Sequence, residues 1–318
     1  MRGRCYYSQL LEEGVMLMVK EAFIQYKPHK ATAQKIEWAN TIISEYQAQG
    51  YILTLRQLFY QFVSRDLIKN NKAAYDSLSE ALTNARMAGM IDWDAIEDRG
   101  RFPRIPACTN SIYEALYQTA ANFRVNRQSW QKQYVEVWCE KDALSGILER
   151  VTYHYHLNLV INKGYGSTTS AYAAAQRIKW QLEEGKEFCH VIYFGDHDPS
   201  GLDMVRDVHD RLQQMRVTDG FEVKHIALTT PQVEYYNPPE NNLKKDDFGK
   251  LKDPRGISYF KEFGNSSWEV DALSPEILTN LLQLEIESTI DMSYFKEVCK
   301  CEEEWKNELF ELAENYSE

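Results

Sequence analysis

The stretch from residue 134 to residue 204 constrains the fold most, because an apolar run gives way there to a polar turn three times. YVEVWCEKDALSG ends its run on Glu140, LVINKGYGSTTSAYAAA passes through a glycine-broken turn, and HVIYFGDHDPSGLDM presents Asp196 and Asp198 ahead of a helix. A repeated strand-then-helix order is typical of a parallel sheet with helical crossovers. The sequence therefore predicts an α/β domain in this region.

The three acidic residues are predicted to lie together. In a parallel sheet the carboxyl ends of the strands line one crevice, so Glu140, Asp196 and Asp198 are expected at the same edge. Carboxylates without neighbouring His or Cys ligands suit a hard cation, so we predict a Mg²⁺ site in which Mn²⁺ is a possible substitute. Asp196 and Asp198 point the same way in an extended segment, whereas His197 points elsewhere and is expected to pack or face solvent. Glu140 is a candidate metal ligand and a candidate general acid and base.

Residues 31–105 contain three predicted helices. The first ends at Gly50, the second begins after the N-cap residue Thr54, and the third ends at Gly89. MIDWDAIEDRGRFPRI then predicts a short hairpin. Three helices followed by a β wing describe a winged helix, whose third helix commonly enters the DNA major groove. A further helix is predicted before this region, over residues 10–25.

The second of these helices carries the segment RQLFY. Arg56 and Tyr60 are four residues apart, so they are neighbours on the helix surface, away from the expected core stripe. Arg86 on the third helix, and Arg99 and Arg101 in the predicted hairpin, are further candidates for contact with DNA phosphates.

Phosphate contacts are also predicted within the α/β region. Lys141 and Lys163 are candidate phosphate neighbours, and Gly164 and Gly166 would let backbone amides approach an anion. The alternative for the KGYG segment is a plain turn.

Taken together, the three α/β blocks resemble the Toprim domain. EKD, KGYG and DHDPSG resemble the A subunit of topoisomerase VI and its relatives, the meiotic double-strand-break transesterases. RQLFY resembles the family segment in which the final tyrosine attacks DNA, so Tyr60 matches the nucleophile and Arg56 a phosphate contact. The flanking TLRQLFYQFVSRDL also resembles a group of uncharacterised bacterial and phage Toprim proteins.

This resemblance implies Mg²⁺-dependent cleavage of duplex DNA by tyrosine transesterification, with Glu140, Asp196 and Asp198 as the metal centre. In the family, the tyrosine and the metal site that cut one strand come from different protomers, which implies a homodimer. We expect no nucleotide-binding ATPase domain on this chain, so topoisomerase activity would require a separate ATPase subunit.

Further alternatives remain open at this stage. The acidic residues can be strand-end caps and solvated turn residues. The chain can be a hydrolytic Toprim nuclease in which Tyr60 is structural, or a non-cleaving DNA-binding regulatory protein. Glu269 and Asp271 in WEVDAL either approach the metal site or belong to an ordinary half-exposed strand, and they are left out of the predicted catalytic set.

Composition adds limits to these predictions. The net charge of −11 at first argues against nucleic acid, but residues 264–318 hold 14 acidic residues against 3 lysines and account for all of it. The six cysteines show no zinc spacing and no long apolar run occurs, so we expect a cytoplasmic, nucleoid-associated protein with reduced thiols and no membrane contact. The predicted organisation is an N-terminal extension (1–30), a winged helix (31–105), a linker helix (106–133), a Toprim domain (134–230) and a C-terminal extension with an acidic helix (231–318).

Overall fold

The computed structural model describes residues 20–97, 108–162, 167–243, 245, 251, 253 and 255–316. The chain divides into two compact units, residues 1–100 and residues 101–318. Each is described by itself.

The first unit is helical in its described part. The bounds are Lys30–Ala48 for α1, Leu53–Thr54 for β1, Leu55–Ser64 for α2, Lys72–Met87 for α3 and Ile96–Glu97 for β2. Thr54 and Gln57 form a capping box at the start of α2, and the Asn71 side chain caps α3. Leu58 and Leu78 are completely buried, so the inner faces of α2 and α3 form the core of this unit.

The described part of the predicted hairpin has a different structure. Trp93–Ala95 form a turn of 3-10 helix, which Asp92 caps, and β2 pairs in parallel with β1, with Leu53 opposite Ile96. This pairing places the strand beside α2. Residues 98–107, which include Arg99 and Arg101, lie outside the described residues.

The predicted helix over residues 10–25 is wrong at its carboxyl end. Residues 20–25 are not helical. Phe23 donates a backbone hydrogen bond of 2.7 Å to Met87 and packs edge-on against Trp93, so this segment runs extended along the end of α3. Residues 10–19 of the predicted helix lie outside the described residues.

The second unit contains the predicted α/β fold. Its described residues include a four-stranded parallel sheet in the order β4-β3-β5-β6, which confirms the parallel sheet. The strands are β3 (Gln133–Cys139), β4 (Asn158–Ile161), β5 (Phe188–Phe194) and β6 (Phe221–Ala227). A separate antiparallel pair joins β7 (Glu240–Asn242) to β8 (Ser266–Trp268).

Helices connect these strands and cover the sheet. Their bounds are Ile112–Asn122 for α4, Ser145–Tyr155 for α5, Thr168–Glu183 for α6, Pro199–Gln214 for α7, Thr230–Tyr236 for α8, Gly256–Phe263 for α9, Pro275–Thr289 for α10 and Met292–Glu314 for α11. Side chains of β3 alternate between two buried clusters because successive residues of a strand face opposite sides. Val135 and Val137 pack with α5 and α10, whereas Tyr134 and Trp138 pack with α6 and α7.

The C-terminal helices belong to the core of the second unit. Leu278 and Leu282 of α10 are completely buried in the cluster on one face of the sheet. The acidic helix α11 packs along α4, and its Glu302 is buried in an ion pair with Arg127, with Oε1 2.6 Å from Nη2. One acidic residue of this helix is therefore a structural anchor.

None of the helices in the described ranges is long and apolar enough to cross a membrane. The five cysteines within those ranges are free thiols.

Candidate active site

The register of two central strands brings Glu140 and Asp196 together. Cys139 at the end of β3 lies opposite Phe194 at the end of β5. The Glu140 amide donates a hydrogen bond of 3.0 Å to the Phe194 carbonyl, and the Asp196 amide donates one of 3.3 Å to Glu140 Oε2. The placement that strand-end reasoning predicts for these two residues is therefore found in the fold.

Asp198 occupies a position that serves two purposes. It is the N-cap of α7, and its Oδ1 accepts hydrogen bonds from the Gly201 amide at 2.7 Å and the Ser200 hydroxyl at 2.9 Å. One oxygen of this side chain therefore has a structural role as a helix cap. The charge of Asp198 also raises the pKa of Glu140, after burial and the charge of Asp196, so the three carboxylates interact.

A glycine allows α7 to begin directly beside the acidic loop. A Cβ on Gly201 would lie 2.2 Å from the carbonyl oxygen of Asp196, well inside van der Waals contact. Any larger residue would push the helix start away from this backbone. Gly201 is therefore a steric requirement of the site.

His197 packs in the interior, one of the two outcomes expected for it. It is 1% exposed, and its ring nitrogens lie 2.8 Å from the Tyr259 hydroxyl and 3.0 Å from the Thr230 hydroxyl. Burial lowers the pKa of this histidine. Both nitrogens are engaged, so His197 braces the loop between the two aspartates.

Lys141 contacts three carboxylates, and the sequence analysis did not predict these contacts. Its Nζ lies 2.7 Å from Asp196 Oδ1, 2.9 Å from Glu269 Oε2 and 2.9 Å from Asp271 Oδ1. Glu269 and Asp271 therefore adjoin the predicted metal residues, the first of the two alternatives left open for them. The two acidic residues of WEVDAL could have indicated a place in the site. They alternate with apolar residues, however, as acidic residues also do in an ordinary half-exposed strand.

Backbone contacts bind this C-terminal segment to the acidic loop. Trp268 and His197 exchange two backbone hydrogen bonds, of 2.9 and 3.0 Å. The Val270 amide donates a bond of 2.8 Å to Asp196 Oδ1. The segment 268–271 is thus part of the site, although 70 residues separate it from His197 and its neighbours.

Excess negative charge characterises the site. Burial, followed by the charge of Asp196, raises the pKa of Glu140 to about 7. Burial also raises the pKa of Asp196, against the opposing effect of the Lys141 ammonium. A bound cation would lower both pKa values and so oppose these shifts.

The donor set has the chemistry that Mg²⁺ prefers, since it consists of carboxylate oxygens. Among the residues that the structure describes, no group of three or more His, Cys, Asp and Glu side chains is arranged to hold a metal ion. The space between three of the carboxylates contains the Lys141 ammonium.

A cleft of about 400 Å³ opens beside Asp198. Its described walls come from the start of α7, from the β7/β8 pair and from the start of α9, and they include Ser200, Asn241, Asn242, Ser267, Trp268 and Glu269. The amides and hydroxyls of this lining stand beside the carboxylates of Asp198, Asp253 and Glu269, so the cleft offers neutral hydrogen-bonding groups next to negative charge.

Tyr60 is buried, at 4% exposure, which corrects the expectation that it lies off the core stripe. Its ring packs edge-on against Phe59, and the exposed Arg56 guanidinium lies 5.8 Å from the centre of the ring. The predicted pairing of Arg56 with Tyr60 is present, but the phenol is largely enclosed.

Arg86 is half-buried at the end of α3. Its guanidinium stacks on the Trp93 ring at 5.0 Å and donates a hydrogen bond to the Trp93 carbonyl. The side chain thus ties α3 to the following turn. The remaining predicted phosphate contacts, Lys163, Gly164 and Gly166, lie outside the described residues.

No model of a known protein family matches this chain, and a search against curated proteins finds no significant similarity.

Proposed function

We propose that this protein is a Mg²⁺-dependent enzyme that cleaves duplex DNA, with Glu140, Asp196 and Asp198 at its reactive centre. The observation that carries the proposal is the strand-end contact of Glu140 with the Asp196 amide, with Asp198 two residues away. This arrangement supports a Toprim-type site, because carboxylates from separate strands meet at one edge of a parallel sheet.

The chain's own residues would divide the work at this site. Asp196 and Asp198 would hold the cation, with Glu140 as a third ligand or as the proton-transfer group. Without a bound cation the pKa of Glu140 is about 7, which suits proton exchange close to neutral pH, whereas as a metal ligand Glu140 would be ionised. A bound divalent cation supplies charge stabilisation at the scissile phosphate.

DNA binding falls to the first unit in this proposal. Its three helices support a winged-helix module, in which α3 would enter the major groove and Arg56 would contact phosphate. By analogy with the topoisomerase VI A subunits that the sequence resembles, the protein would act as a homodimer. Each break would then use the tyrosine of one protomer and the carboxylates of the other. A separate ATPase subunit would be needed for strand passage.

Two routes for bond breakage follow, and they differ in the role of Tyr60. In the transesterase route Tyr60 attacks the phosphorus and remains linked to one DNA end. In the hydrolytic route water attacks and Tyr60 is structural. The burial of Tyr60 favours the hydrolytic route, because the attacking oxygen must reach phosphorus.

The discriminating experiment uses end-labelled plasmid with Mg²⁺ or Mn²⁺, quenched with denaturant. Protein-linked ends that disappear in Tyr60→Phe establish transesterification. Free ends that persist in Tyr60→Phe and disappear in Asp196→Ala establish hydrolysis. DNA binding without breakage in any divalent cation contradicts the proposed activity and leaves a regulatory DNA-binding protein.

A further inference from the structure

We propose that Lys141 is a resident counter-cation of the acidic site, and that Glu269 and Asp271 share one cation centre with Asp196. On this view the lysine ammonium leaves its three carboxylates when a divalent cation binds. The inference rests on the proposed function for the identity of the site, and its test does not require DNA cleavage.

The first evidence is the set of contacts that the Lys141 ammonium makes. One ammonium lies within 2.9 Å of oxygens from Asp196, Glu269 and Asp271, so three carboxylates converge on a single positive charge. An ammonium has three donors, and here each has an acidic acceptor. The position of Nζ is therefore one that a cation favours.

Burial makes this charge compensation necessary. The Asp271 side chain is fully enclosed and the Asp196 side chain is 10% exposed, so water solvates neither carboxylate well. Carboxylates in such surroundings require a cation or protonation. The single positive charge of Lys141 balances three acidic groups only in part, which leaves the cluster able to accept a stronger cation.

Backbone contacts bind the segment that carries Glu269 and Asp271 to the loop that carries Asp196. Val270 binds Asp196 Oδ1 through its amide, and Trp268 pairs with His197. Glu269 and Asp271 flank Val270 in this segment. The fold thus brings the three acidic residues together through their backbones, whereas the lysine reaches them on a long side chain.

Exchange of cations would also allow Lys141 to contact a phosphate group of the DNA. As the structure stands, the ammonium is engaged by carboxylates and its side chain is 17% exposed. Once released by a divalent cation, the same side chain becomes available to a phosphate oxygen of the DNA. Cation binding would therefore prepare the site for an anionic substrate.

The test measures Mn²⁺ binding by the full-length chain, by calorimetry and by thermal unfolding with and without Mn²⁺. Lys141→Met removes the competing charge, so we expect at least tenfold tighter Mn²⁺ binding and a larger Mn²⁺-induced rise in Tm than in the wild type. Lys224→Met, which breaks the peripheral pair with Glu285, is the matched control and should leave Mn²⁺ affinity unchanged.

The acidic partners are tested by Glu269→Gln and Asp271→Asn, each in the wild-type and the Lys141→Met backgrounds. We expect each to weaken Mn²⁺ binding at least fivefold in both backgrounds. The wild-type background keeps the test valid if Lys141→Met fails to fold. Unchanged Mn²⁺ affinity in Asp271→Asn, or in a folded Lys141→Met variant, would overturn the inference.

These results separate the inference from the proposed function. Tighter Mn²⁺ binding by Lys141→Met in a protein that never cuts DNA would support the cation centre and contradict the activity. Metal-dependent cleavage with Mn²⁺ affinity indifferent to Lys141 would support the activity and contradict the counter-cation.

Discussion

Glu140 accepts a hydrogen bond from the backbone amide of Asp196 at 3.3 Å, although 56 positions separate the two residues in the chain. The parallel register of β3 and β5 produces this contact, because both strands end at the same level. The acidic site is therefore a consequence of the sheet, and changes that shift the strand ends should alter its chemistry.

The first prediction concerns the pH dependence of stability without divalent cations. The pKa of Glu140 is about 7 in the folded chain, against 4.5 for an ordinary glutamate, so the folded state binds this proton more tightly than the unfolded state. Ionised Glu140 therefore destabilises the fold above pH 7, and the penalty disappears as the pH falls toward 4.5. Glu140→Gln should stabilise the chain by about 2–3 kcal/mol at pH 8.5 and by little at pH 5.

Urea unfolding in the presence of EDTA, at both pH values, measures this difference. Equal effects of Glu140→Gln at pH 5 and pH 8.5 would show that the carboxyl has an ordinary pKa. Added Mg²⁺ should reduce the gain at pH 8.5, because a cation offsets the same negative charge.

Gly201→Ala tests the steric requirement at the start of α7. The added methyl group would lie 2.2 Å from the Asp196 carbonyl oxygen, so the acidic loop must shift. We expect a loss of about 1–3 kcal/mol in the free energy of unfolding and at least a tenfold loss of DNA cleavage.

Gly185→Ala is the matched control for that variant. Gly185 has φ +99° and nothing within 4 Å of the added Cβ, so the change costs only backbone strain, about 1–3 kcal/mol. Cleavage should be preserved. Equal loss of cleavage in the two variants would mean that instability, and not the displaced loop, is responsible.

The ion pair of the buried Glu136 with the half-buried Arg177 is expected to be a major determinant of stability. Glu136 is 0% exposed in the middle of β3, and Arg177 of α6 donates bonds of 2.8 and 3.0 Å to its two oxygens. Burial alone would raise the pKa of Glu136, but these bonds lower it. Arg177→Met should destabilise the fold by about 3–5 kcal/mol near pH 7.

The pH dependence of this destabilisation tests whether the unpaired charge of Glu136 is its cause. The stabilisation from the pair is present above the ordinary glutamate pKa and is lost at lower pH, where Glu136 in the variant can be buried in its neutral form. The gap between wild type and Arg177→Met should therefore narrow between pH 7 and pH 4. Lys132→Met, which breaks an exposed pair with Glu187, should change stability little at any pH, and a constant gap for Arg177→Met would contradict the account.

Local patterns in the sequence predicted the sheet and part of the site. Apolar β-rich runs, each followed by a helical stretch, identify β3, β4 and β5, and the strand-end rule brings Glu140 to Asp196. These inferences succeed because side-chain periodicity and the alternation of strands with helices along the chain are local properties.

Other features depend on contacts that the sequence does not display. The junction of Glu269 and Asp271 with Lys141 forms only when β8 meets the loop at His197, and an alternating segment gives no indication of its partner. The burial of Tyr60 was likewise missed, because a helix position next to a core stripe is exposed or enclosed according to tertiary packing. The pairing of β2 with β1 joins residues about forty positions apart, which turn patterns do not reveal.

The most direct test of the account compares metal-dependent cleavage of duplex DNA by wild type, Asp196→Asn, Asp198→Asn and a matched control, Asp210→Asn. Asp210 lies on α7 in an exposed pair with Arg206, so its change preserves the helix and removes one charge. The account predicts at least a hundredfold loss of cleavage in the first two variants, with DNA binding retained, and normal cleavage in Asp210→Asn. Cleavage at wild-type rates by folded Asp196→Asn and Asp198→Asn would contradict it.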